Sequence, residues 1–372
     1  MEVARRWFRR RFSDPQAVIL AFLLVIGFAA ILLFGRILAP VLWAIVIAYL
    51  LEGLVVFLER RGVPRTPAVL IVFLLFMAFL LVLVFGVVPL LWVQMMDLVR
   101  DLPAFIAMGQ QVLLQLPERY PFITEAQVQE VLAAIRSQVG ALGQRMLALS
   151  LASILNFITI IVYLILVPLL VFFFLKDKRL ILGWVRGYLP RERALAARVW
   201  DEVNRQIGNY VRGKFWEILI VAAVSYLVFA LMGLQYAMLL GALVGLSVII
   251  PYIGAAVVTL PVFMIGYFQW GWGPELAWLM VAYAVIQALD GNVLAPLLFS
   301  RVVNLHPVAI IVAVVGFGGI WGFWGVFFAI PLATLVSAVL SAWPTTPEPA
   351  ATAPPSAPAR ARTPEIERET PS

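Results

Sequence analysis

Long apolar runs limit the fold of this chain more than any other feature of its sequence. An α-helix rises about 1.5 Å per residue, so about 20 residues cross the roughly 30 Å hydrocarbon layer of a membrane. Runs of about this length or longer are Pro15–Phe34, Leu38–Leu58, Thr66–Trp92, Leu151–Leu175, Phe215–Leu234, Tyr236–Phe268, Leu276–Phe299 and Pro307–Leu340. They predict an all-α polytopic membrane protein with about eight hydrophobic regions.

Composition excludes several classes of protein. Hydrophobic residues make up 63% of the 372 residues and charged residues only 13%, whereas soluble domains are about half apolar and a quarter charged. The chain has no Cys and a single His, His306. Thiol chemistry and metal sites that need several His or Cys ligands are therefore excluded. We expect no metal site, no resident cofactor and no nucleic-acid partner.

Motifs for enzymatic chemistry are weak. Residues 208–214 resemble a phosphate-binding loop, but Phe215 stands where Ser or Thr must hold magnesium. An intramembrane aspartyl protease needs two facing acids, and only Asp290 lies well inside a predicted span. His306 precedes Pro307 at the start of a span, where a capping or loop role is the better interpretation. We therefore predict that the chain is not an enzyme.

Basic residues predict the orientation in the membrane. Most of them lie in three segments that fall on one side if each of the first three apolar runs crosses once, namely the N-terminal arm 1–14, the loop after the second run and residues 176–214. Because Lys and Arg are enriched in cytoplasmic loops, this side is predicted to be cytoplasmic. We expect a multi-pass protein of a bacterial inner membrane with both termini in the cytoplasm.

The apolar runs and the polar segments between them divide the chain. Amphipathic patterns, including residues 125–149, suit contact with lipid headgroups or packing on a neighbouring helix. The predicted order is a basic cytoplasmic arm 1–14, three membrane helices in 15–92, an extracytoplasmic amphipathic helical segment 93–150, a fourth helix 151–175, a basic cytoplasmic helical segment 176–214, a transport region 215–342 with two broken hairpins, and a disordered cytoplasmic tail 343–372.

Two apolar stretches, Tyr236–Phe268 and Pro307–Leu340, are longer than one crossing needs and are interrupted near the middle. The first carries Pro251 and the second a run of glycines around Gly318. In hydrocarbon, such a break persists only where protein or a water-filled cavity covers it. Paired breaks are the best sequence indication of a substrate site in a transporter. Two long kinked helices remain an alternative to the two re-entrant hairpins that we favour.

Asp290 is the most informative single residue. An acid inside a membrane span is costly, and it normally pairs, faces a cavity, or carries protons or cations. Gln287 and Asn292 add polar groups near it on the same predicted helix. Coupling to a proton or sodium gradient is therefore possible. The alternative is a structural carboxylate near the membrane surface.

Several motifs, taken together in this order, resemble the AI-2E (autoinducer-2 exporter-type) family of transporters or permeases over about residues 15–342. The segment Tyr49–Gly53 departs from the family, which commonly has a Pro after the Leu pair. The matching motifs are Leu175-Lys176-Asp177, Asn209-Tyr210-Val211-Arg212-Gly213, Pro251-Tyr252-Ile253-Gly254, Asp290-Gly291-Asn292-Val293-Leu294-Ala295-Pro296, Leu305-His306-Pro307, and Gly322-Phe323-Trp324-Gly325 with Pro331.

The resemblance implies a homo-oligomeric secondary transporter, pentameric in assembly, that works by alternating access with a moving part that bears the hairpins. Members are linked to export of autoinducer-2, and some to sodium–proton exchange. Fold-level kinship does not fix the substrate.

The resulting hypothesis is a transporter that exports a small polar solute or exchanges ions. A passive oligomeric channel and a non-transporting membrane scaffold are the alternatives. The expected partners are membrane lipid, the solute or ion, and further copies of the chain. Candidate binding residues are Asp290, Gln287, Asn292, Pro251, Tyr252, Gly254, Gly318, Gly319 and Gly322. Candidate structural or gating residues are Asn209, Arg212, Pro296, His306, Pro307, Gly325 and Pro331.

Overall fold

The computed structural model describes residues 15–119, 126, 129, 130, 133, 159–188, 194–251, 253–299 and 306–342. The regular structure in these ranges is helical. By length and apolar composition, seven of the described helices could cross a membrane. The predicted all-α polytopic fold is confirmed. The arm 1–14 and the tail 343–372 lie outside the described residues.

The first two predicted spans, Pro15–Phe34 and Leu38–Leu58, belong to one helix. This helix, α1, runs over 46 residues from Pro15 to Arg60. The sequence between the two runs has no strong helix stop, because a single Gly such as Gly35 costs only about 1 kcal/mol in a helix. Pro40 lies inside α1 without ending it.

The third predicted span also continues beyond its expected end. Helix α2 leads through a short π-helical turn into α3, so the helix extends into the predicted segment 93–150. The amphipathic helix expected over 125–149 lies almost entirely outside the described residues. The bounds are Arg65–Val82 for α2, Leu83–Val87 for the π-turn and Val88–Arg119 for α3; α4 is Thr159–Lys176 and α5 is Lys178–Tyr188.

Basic loops that are distant in sequence meet at one end of the bundle. Arg65 forms ion pairs with Glu52 and Glu59 and donates a 2.8 Å hydrogen bond to the carbonyl of Leu175 at the end of α4. Lys178 reaches the same Glu52 at 2.9 Å. We call this end of α1, α2 and α4 the basic end.

A long central helix, α6, spans Ala194–Leu231. It begins in the predicted segment 176–214 and continues without interruption through the predicted span Phe215–Leu234. It packs against α1 and against most of the elements that follow it in the chain.

The stretch Tyr236–Phe268 is a helical hairpin, which decides between the two interpretations of its break. Its arms are α7, Ala237–Ser247, and α8, Ile253–Trp270. The side chain of Gln269 donates to the carbonyl of Gly233 at 2.8 Å and accepts from the backbone N–H of Gln235 at 2.7 Å. Both ends of the stretch therefore lie together, and the described residues 248–251 lie at the tip.

Glycines let the first hairpin pack closely. A Cβ on Gly241 would lie 2.7 Å from the backbone nitrogen of Tyr226 on α6. At the tip, a Cβ on Gly254 would collide with the carbonyl oxygen of Ser247. The two arms can therefore meet only because position 254 has no side chain.

A discontinuous helix follows the first hairpin. Its regular part, α9, is Pro274–Leu289; a π-helical turn covers Asp290–Leu294, and α10 is Ala295–Phe299. The α9 arm packs on α8, where the hydroxyl of Tyr283 donates to the carbonyl of Ala255 at 2.9 Å. The turn places Asp290 against the central helix.

The stretch Pro307–Leu340 is the second hairpin. Helix α11, Pro307–Phe327, contains the break, so it forms the first arm and the start of the second arm. Helix α12, Ala329–Ala342, continues the second arm and packs on α11. Gly322 breaks α11 at φ 59° and ψ −135°, a conformation that suits only glycine. The chain folds back at this break. The two sides approach so closely that a Cβ on Gly325 would collide with the carbonyl oxygen of Phe317.

Candidate functional site

The tip of the first hairpin is held by a buried lysine. Only 3% of Lys214 is exposed. Its Nζ atom donates to the carbonyl of Val248 at 2.8 Å and forms an ion pair with Glu217 at 2.5 Å. Because α7 ends at Ser247, the carbonyl of Val248 lies among the carbonyls that a helix end leaves without a helical partner. A side chain of α6 supplies that missing donor.

The geometry of α6 explains why this lysine and its acid meet. Lys214 and Glu217 are three residues apart, so they lie on the same face of the helix. Their neighbour Gly213 makes room for Phe299 of α10, whose Cε1 atom would lie 2.7 Å from a Cβ at that position. The ring of Phe299 lies 5.2 Å from Nζ of Lys214 and covers the ammonium group.

Asp290 faces the same cluster. It opens the π-helical turn, which packs on α6, and it interacts electrostatically with Lys214 and Glu217. Its Oδ1 atom is buried and has no hydrogen-bond partner among the described residues. π-Helical turns occur frequently at functional sites. Two carboxyl groups and one ammonium group therefore meet beside the hairpin tip.

Sequence reasoning did not find Lys214 or Glu217. In the sequence, Lys214 belongs to the basic segment 176–214, and Glu217 lies near one end of the predicted span Phe215–Leu234. A signal was available, because an acid three residues after a lysine at the start of an apolar run can form an intrahelical pair. The choice of Val248 as a partner depends on tertiary structure.

Gln287 and Asn292 bond away from Asp290. Gln287 donates to the hydroxyl of Tyr283 at 2.9 Å, which places it in a network with Ala255 between α8 and α9. Asn292 is exposed and donates to the carbonyl of Ala288 on its own helix at 2.8 Å. The structure therefore distributes the three predicted polar groups over separate sets of bonds.

The other residues predicted at the first break lie at the tip. Pro251 is half-buried, and its carbonyl accepts from the N–H of Ile253 at 2.7 Å. The N–H of Gly254 donates to the carbonyl of Ile250 at 2.9 Å. Tyr252 lies outside the described residues. Bonds within the tip and to Lys214 therefore occupy these backbone groups in this conformation.

The second hairpin is held by a tyrosine from the same central helix. The hydroxyl of Tyr210 donates to the carbonyl of Phe327, the last residue of α11, at 2.9 Å. Tyr210 is 1% exposed. Because Tyr210 and Lys214 are four residues apart, they lie on one face of α6. One helical turn of α6 therefore contacts both hairpins.

The tip of the second hairpin packs on α1. Trp43 contacts the ring of Trp324, with centroids 4.6 Å apart, and Gly35 lies against the indole of Trp321. Gly318 faces Val326 across the hairpin. The predicted binding residues Gly319 and Gly322 are exposed at this tip.

The predicted structural residues occupy helix ends and bends. His306 is the N-cap of α11, where its Nδ1 atom accepts from the N–H of Val308 at 3.3 Å, and Pro307 is the first helical residue. The carbonyl of buried Pro331 accepts from the hydroxyl of Thr334 at 2.8 Å, whereas Pro296 is exposed in α10.

Arg212 and Asn209 face the basic end. Arg212 donates to the side-chain oxygen of Asn209 at 2.8 Å. Arg212 also lies beside Gly53 of α1. Gly53 belongs to the segment Tyr49–Gly53, which departs from the family pattern. Arg212 also lines a cavity of about 350 Å³ with Glu52, Gly53, Val56, Phe57 and Arg60.

A second cavity opens just beyond the C-terminal end of α6. It measures about 410 Å³ and is lined by Gln94, Asp97, Arg100, Asp101, Gln235 and Tyr236. The hydroxyl of Tyr236 donates to the carboxylate of Asp101. Burial is the main cause that raises the pKa of Tyr236 to about 12, and this hydrogen bond is the next.

Within the described ranges, no group of three or more His, Cys, Asp or Glu side chains could hold a metal ion.

Comparison with known proteins decides the family. Residues 18–345 match the family model described as AI-2E family transporter. The chain is a member of the AI-2E transporter family. The resemblance seen in the sequence is thereby confirmed, and with it the assignment to membrane transport proteins.

Two relatives illustrate the breadth of the AI-2E family. PerM of Escherichia coli strain K12, which is described as a permease, is 50% identical over 345 residues, or 92% of this chain and 98% of PerM. YueF of Bacillus subtilis strain 168, described as a transport protein, is 26% identical over 307 residues, or 80% of this chain and 82% of YueF. This AI-2E transporter thus aligns with both over most of their length.

Proposed function

We propose that this AI-2E transporter is a secondary transporter that exports a small polar solute or exchanges ions by alternating access. The observation that carries the proposal is the pair of hairpins, each broken inside an apolar stretch and each contacted by one turn of α6. Broken helices of this kind surround the substrate sites of many secondary transporters.

The proposed binding region lies around the first hairpin tip. Asp290 supplies a carboxyl group, and Lys214 now occupies the Val248 carbonyl. A solute that uses this carbonyl must therefore displace Lys214. Gln287, Asn292 and the backbone of Pro251, Tyr252 and Gly254 would line the path on either side. The glycines 318, 319 and 322 belong to the second tip and would act as a flexible counterpart.

The two cavities support alternating access. One lies near Arg212 of α6 and the other near Gln235, just after α6 ends at Leu231. The helix between Arg212 and Leu231 is about 30 Å long. Lys214 and Glu217 lie on the stretch of α6 between these positions, and Asp290 faces them from the π-helical turn. A conformational change at the cluster would then expose the binding region to one side at a time.

Orientation and assembly complete the proposal. The meeting of Arg65, Lys178 and Arg212 at the basic end supports a cytoplasmic location for that end. We propose a bacterial inner membrane as the location. Both termini were predicted to be cytoplasmic, but α1 runs unbroken from Pro15 to Arg60, so a cytoplasmic basic end would put Pro15 toward the opposite side. By analogy with the family, we propose a homo-oligomer, pentameric in assembly and surrounded by lipid. A proton or sodium gradient would drive transport.

Flux measurements in proteoliposomes test the proposed function. Candidate solutes and ions are screened with and without pH and sodium gradients. We expect saturable flux with counterflow, and loss of gradient-driven flux in Asp290→Asn with the oligomer intact. Glu275→Gln is the matched control, because Glu275 is an exposed acid in the first turn of the same α9.

Other results would assign a different function. Flux that rises linearly with concentration and shows no counterflow would indicate a passive channel. A properly assembled protein that moves none of the screened solutes or ions, but binds partners through residues 191–214, would indicate a scaffold. Full gradient-driven flux in Asp290→Asn would remove Asp290 from the mechanism.

A further inference from the structure

The charges beside the first hairpin tip do not balance. The cluster contains two carboxyl groups, Glu217 and Asp290, and one ammonium group, Lys214. Lys214 is bonded to Glu217 and to the carbonyl of Val248. Its remaining neighbour is the face of the Phe299 ring. The ammonium group is therefore committed, and the second carboxyl group has no direct ionic partner among the described residues.

Asp290 has little to stabilise a negative charge. Its Oδ1 atom is buried and receives no hydrogen bond within the described part of the chain. The charged groups that face it are Lys214 and Glu217 on α6. On its own element, Gln287 and Asn292 donate to other acceptors. The neighbouring Tyr210 donates to Phe327.

An ionised carboxyl group in this position needs a neutralising partner. A buried charge without such a partner costs several kcal/mol or more, so the group takes up a proton or a cation instead. A metal cation is disfavoured because the ammonium group of Lys214 repels it. It would also need several ligands, and the described residues contain no group of three or more His, Cys, Asp or Glu side chains that could hold it. A proton fits the observed surroundings.

We propose that Asp290, Glu217 and Lys214 form a proton-exchange site in which two carboxyl groups share one lysine. One proton occupies Asp290 while Lys214 pairs with Glu217. When that proton leaves to water, Lys214 becomes the shared counter-charge of both carboxylates. No other bond is formed or broken, and no electrons are transferred.

The site is connected to the first hairpin through Lys214. Because the same ammonium group donates to Val248, movement of Lys214 toward Asp290 weakens its hold on the tip. Release of the proton would therefore favour release of the tip. This step rests on the proposed transport function, whereas the existence of the proton site does not.

Carbodiimide labelling tests the site directly. Hydrophobic carbodiimides react with protonated carboxyl groups in a membrane, and the modified peptide is located by mass spectrometry. We expect labelling of Asp290 that falls as pH rises and that drops to background in Asp290→Asn. Glu217 stays unlabelled in the unaltered protein because it is ion-paired. Lys214→Met should make Glu217 reactive, because its counter-charge is removed.

Infrared spectroscopy gives a second readout that does not depend on reagent access. A protonated carboxyl band should be present at neutral pH, disappear in Asp290→Asn and persist in Glu217→Gln. A band that survives Asp290→Asn would overturn the proposal. So would labelling of Glu217 rather than Asp290 in the unaltered protein, or labelling of Asp290 that does not change with pH.

Failure of the site and failure of the proposed function are distinguishable. If Asp290 carries a proton but the protein shows no gradient-driven flux, the proton site is supported and its role in transport is rejected. If the protein shows gradient-driven flux but Asp290 carries no proton, the proton site is rejected and the transport function is supported.

Discussion

The two hairpins share an architecture but differ in how the central helix holds them. Lys214 bonds the first tip and belongs to a cluster with two carboxyl groups. Tyr210 bonds the second hairpin through a neutral hydroxyl within a cluster of aromatic rings. A bond from a charged group depends on the protonation of its neighbours, whereas a bond from a neutral tyrosine does not below the pKa of its hydroxyl. On our proposal, the first hairpin is therefore the one that is released.

Removing the charged bond has the largest expected effect. Lys214→Met leaves Glu217 buried and unpaired, and it leaves the Val248 carbonyl without its donor. Breaking one side of a buried ion pair typically costs about 3–5 kcal/mol. We expect a loss of this size in the free energy of unfolding, measured by SDS titration of the purified protein.

Two controls sharpen that result. Arg205 and Glu202 form an exposed ion pair with the same spacing on the same helix, so Arg205→Met should cost at most about 0.5 kcal/mol. The double variant Lys214→Met with Glu217→Gln removes both charges and should recover part of the loss. Equal losses in the free energy of unfolding from Lys214→Met and Arg205→Met would show that the buried Lys214–Glu217 pair stabilises the fold no more than an exposed pair does.

The next largest effect is expected at the glycines where each hairpin is most closely packed, and here the two hairpins should behave alike. Gly254→Ala and Gly325→Ala each place a Cβ against a backbone carbonyl. Overpacking costs about 1–3 kcal/mol, and more where backbone must move. Gly319→Ala is the control, because nothing lies within 4 Å of a Cβ there. Melting temperatures in detergent measure the difference, and a tolerated Gly254→Ala would contradict the packed tip.

The neutral bond of the second hairpin should have a smaller effect. Tyr210→Phe keeps the ring but leaves the buried carbonyl of Phe327 unpaired, which costs about 1–3 kcal/mol. Because Tyr210→Phe leaves no charged group unpaired, the loss in the free energy of unfolding should not change with pH between 5 and 8. A loss as large as that of Lys214→Met would erase the distinction between the two hairpins.

The smallest effect concerns Tyr236, at the end of the first hairpin opposite its tip. Since the pKa of Tyr236 is raised to about 12 from 10.0, its neutral form stabilises the fold below pH 10. That contribution is lost as pH rises toward 12. The difference in tyrosinate absorbance between the unaltered protein and Tyr236→Phe should have its midpoint near pH 12. A midpoint near pH 10 would contradict the contact with Asp101.

Sequence patterns predicted the helical class and the position of both breaks because these depend on local properties. Apolar run length sets the spans, and Pro251 and the glycines near position 318 interrupt helices wherever they occur. The excess length of the two stretches was enough to favour hairpins. Gln269 and its bonds to residues 233 and 235 now support that choice at the first stretch.

Features that depend on tertiary contacts were not predictable in the same way. The pairing of Lys214 with Val248 requires knowing that the hairpin tip reaches that turn of α6. Gln287 lies three residues before Asp290 in the sequence but bonds Tyr283, whose hydroxyl is bonded to α8. The fusion of the first two spans into α1 reflects a weak break at Gly35 that local propensity alone does not decide.

Distance measurements between spin labels test the releasable first hairpin most directly. The chain has no cysteine, so introduced pairs are the only labelled sites. One pair joins the exposed residues Trp216 of α6 and Leu246 of α7, and the other joins Trp216 and Val336 of α12. In proteoliposomes, with labelled subunits diluted among unlabelled ones so that distances within one subunit are measured, we predict two distances for the first pair. Their populations change with pH and stop changing in Asp290→Asn. The second pair should keep one distance. A single, pH-independent distance for the first pair would contradict release of the hairpin by its lysine.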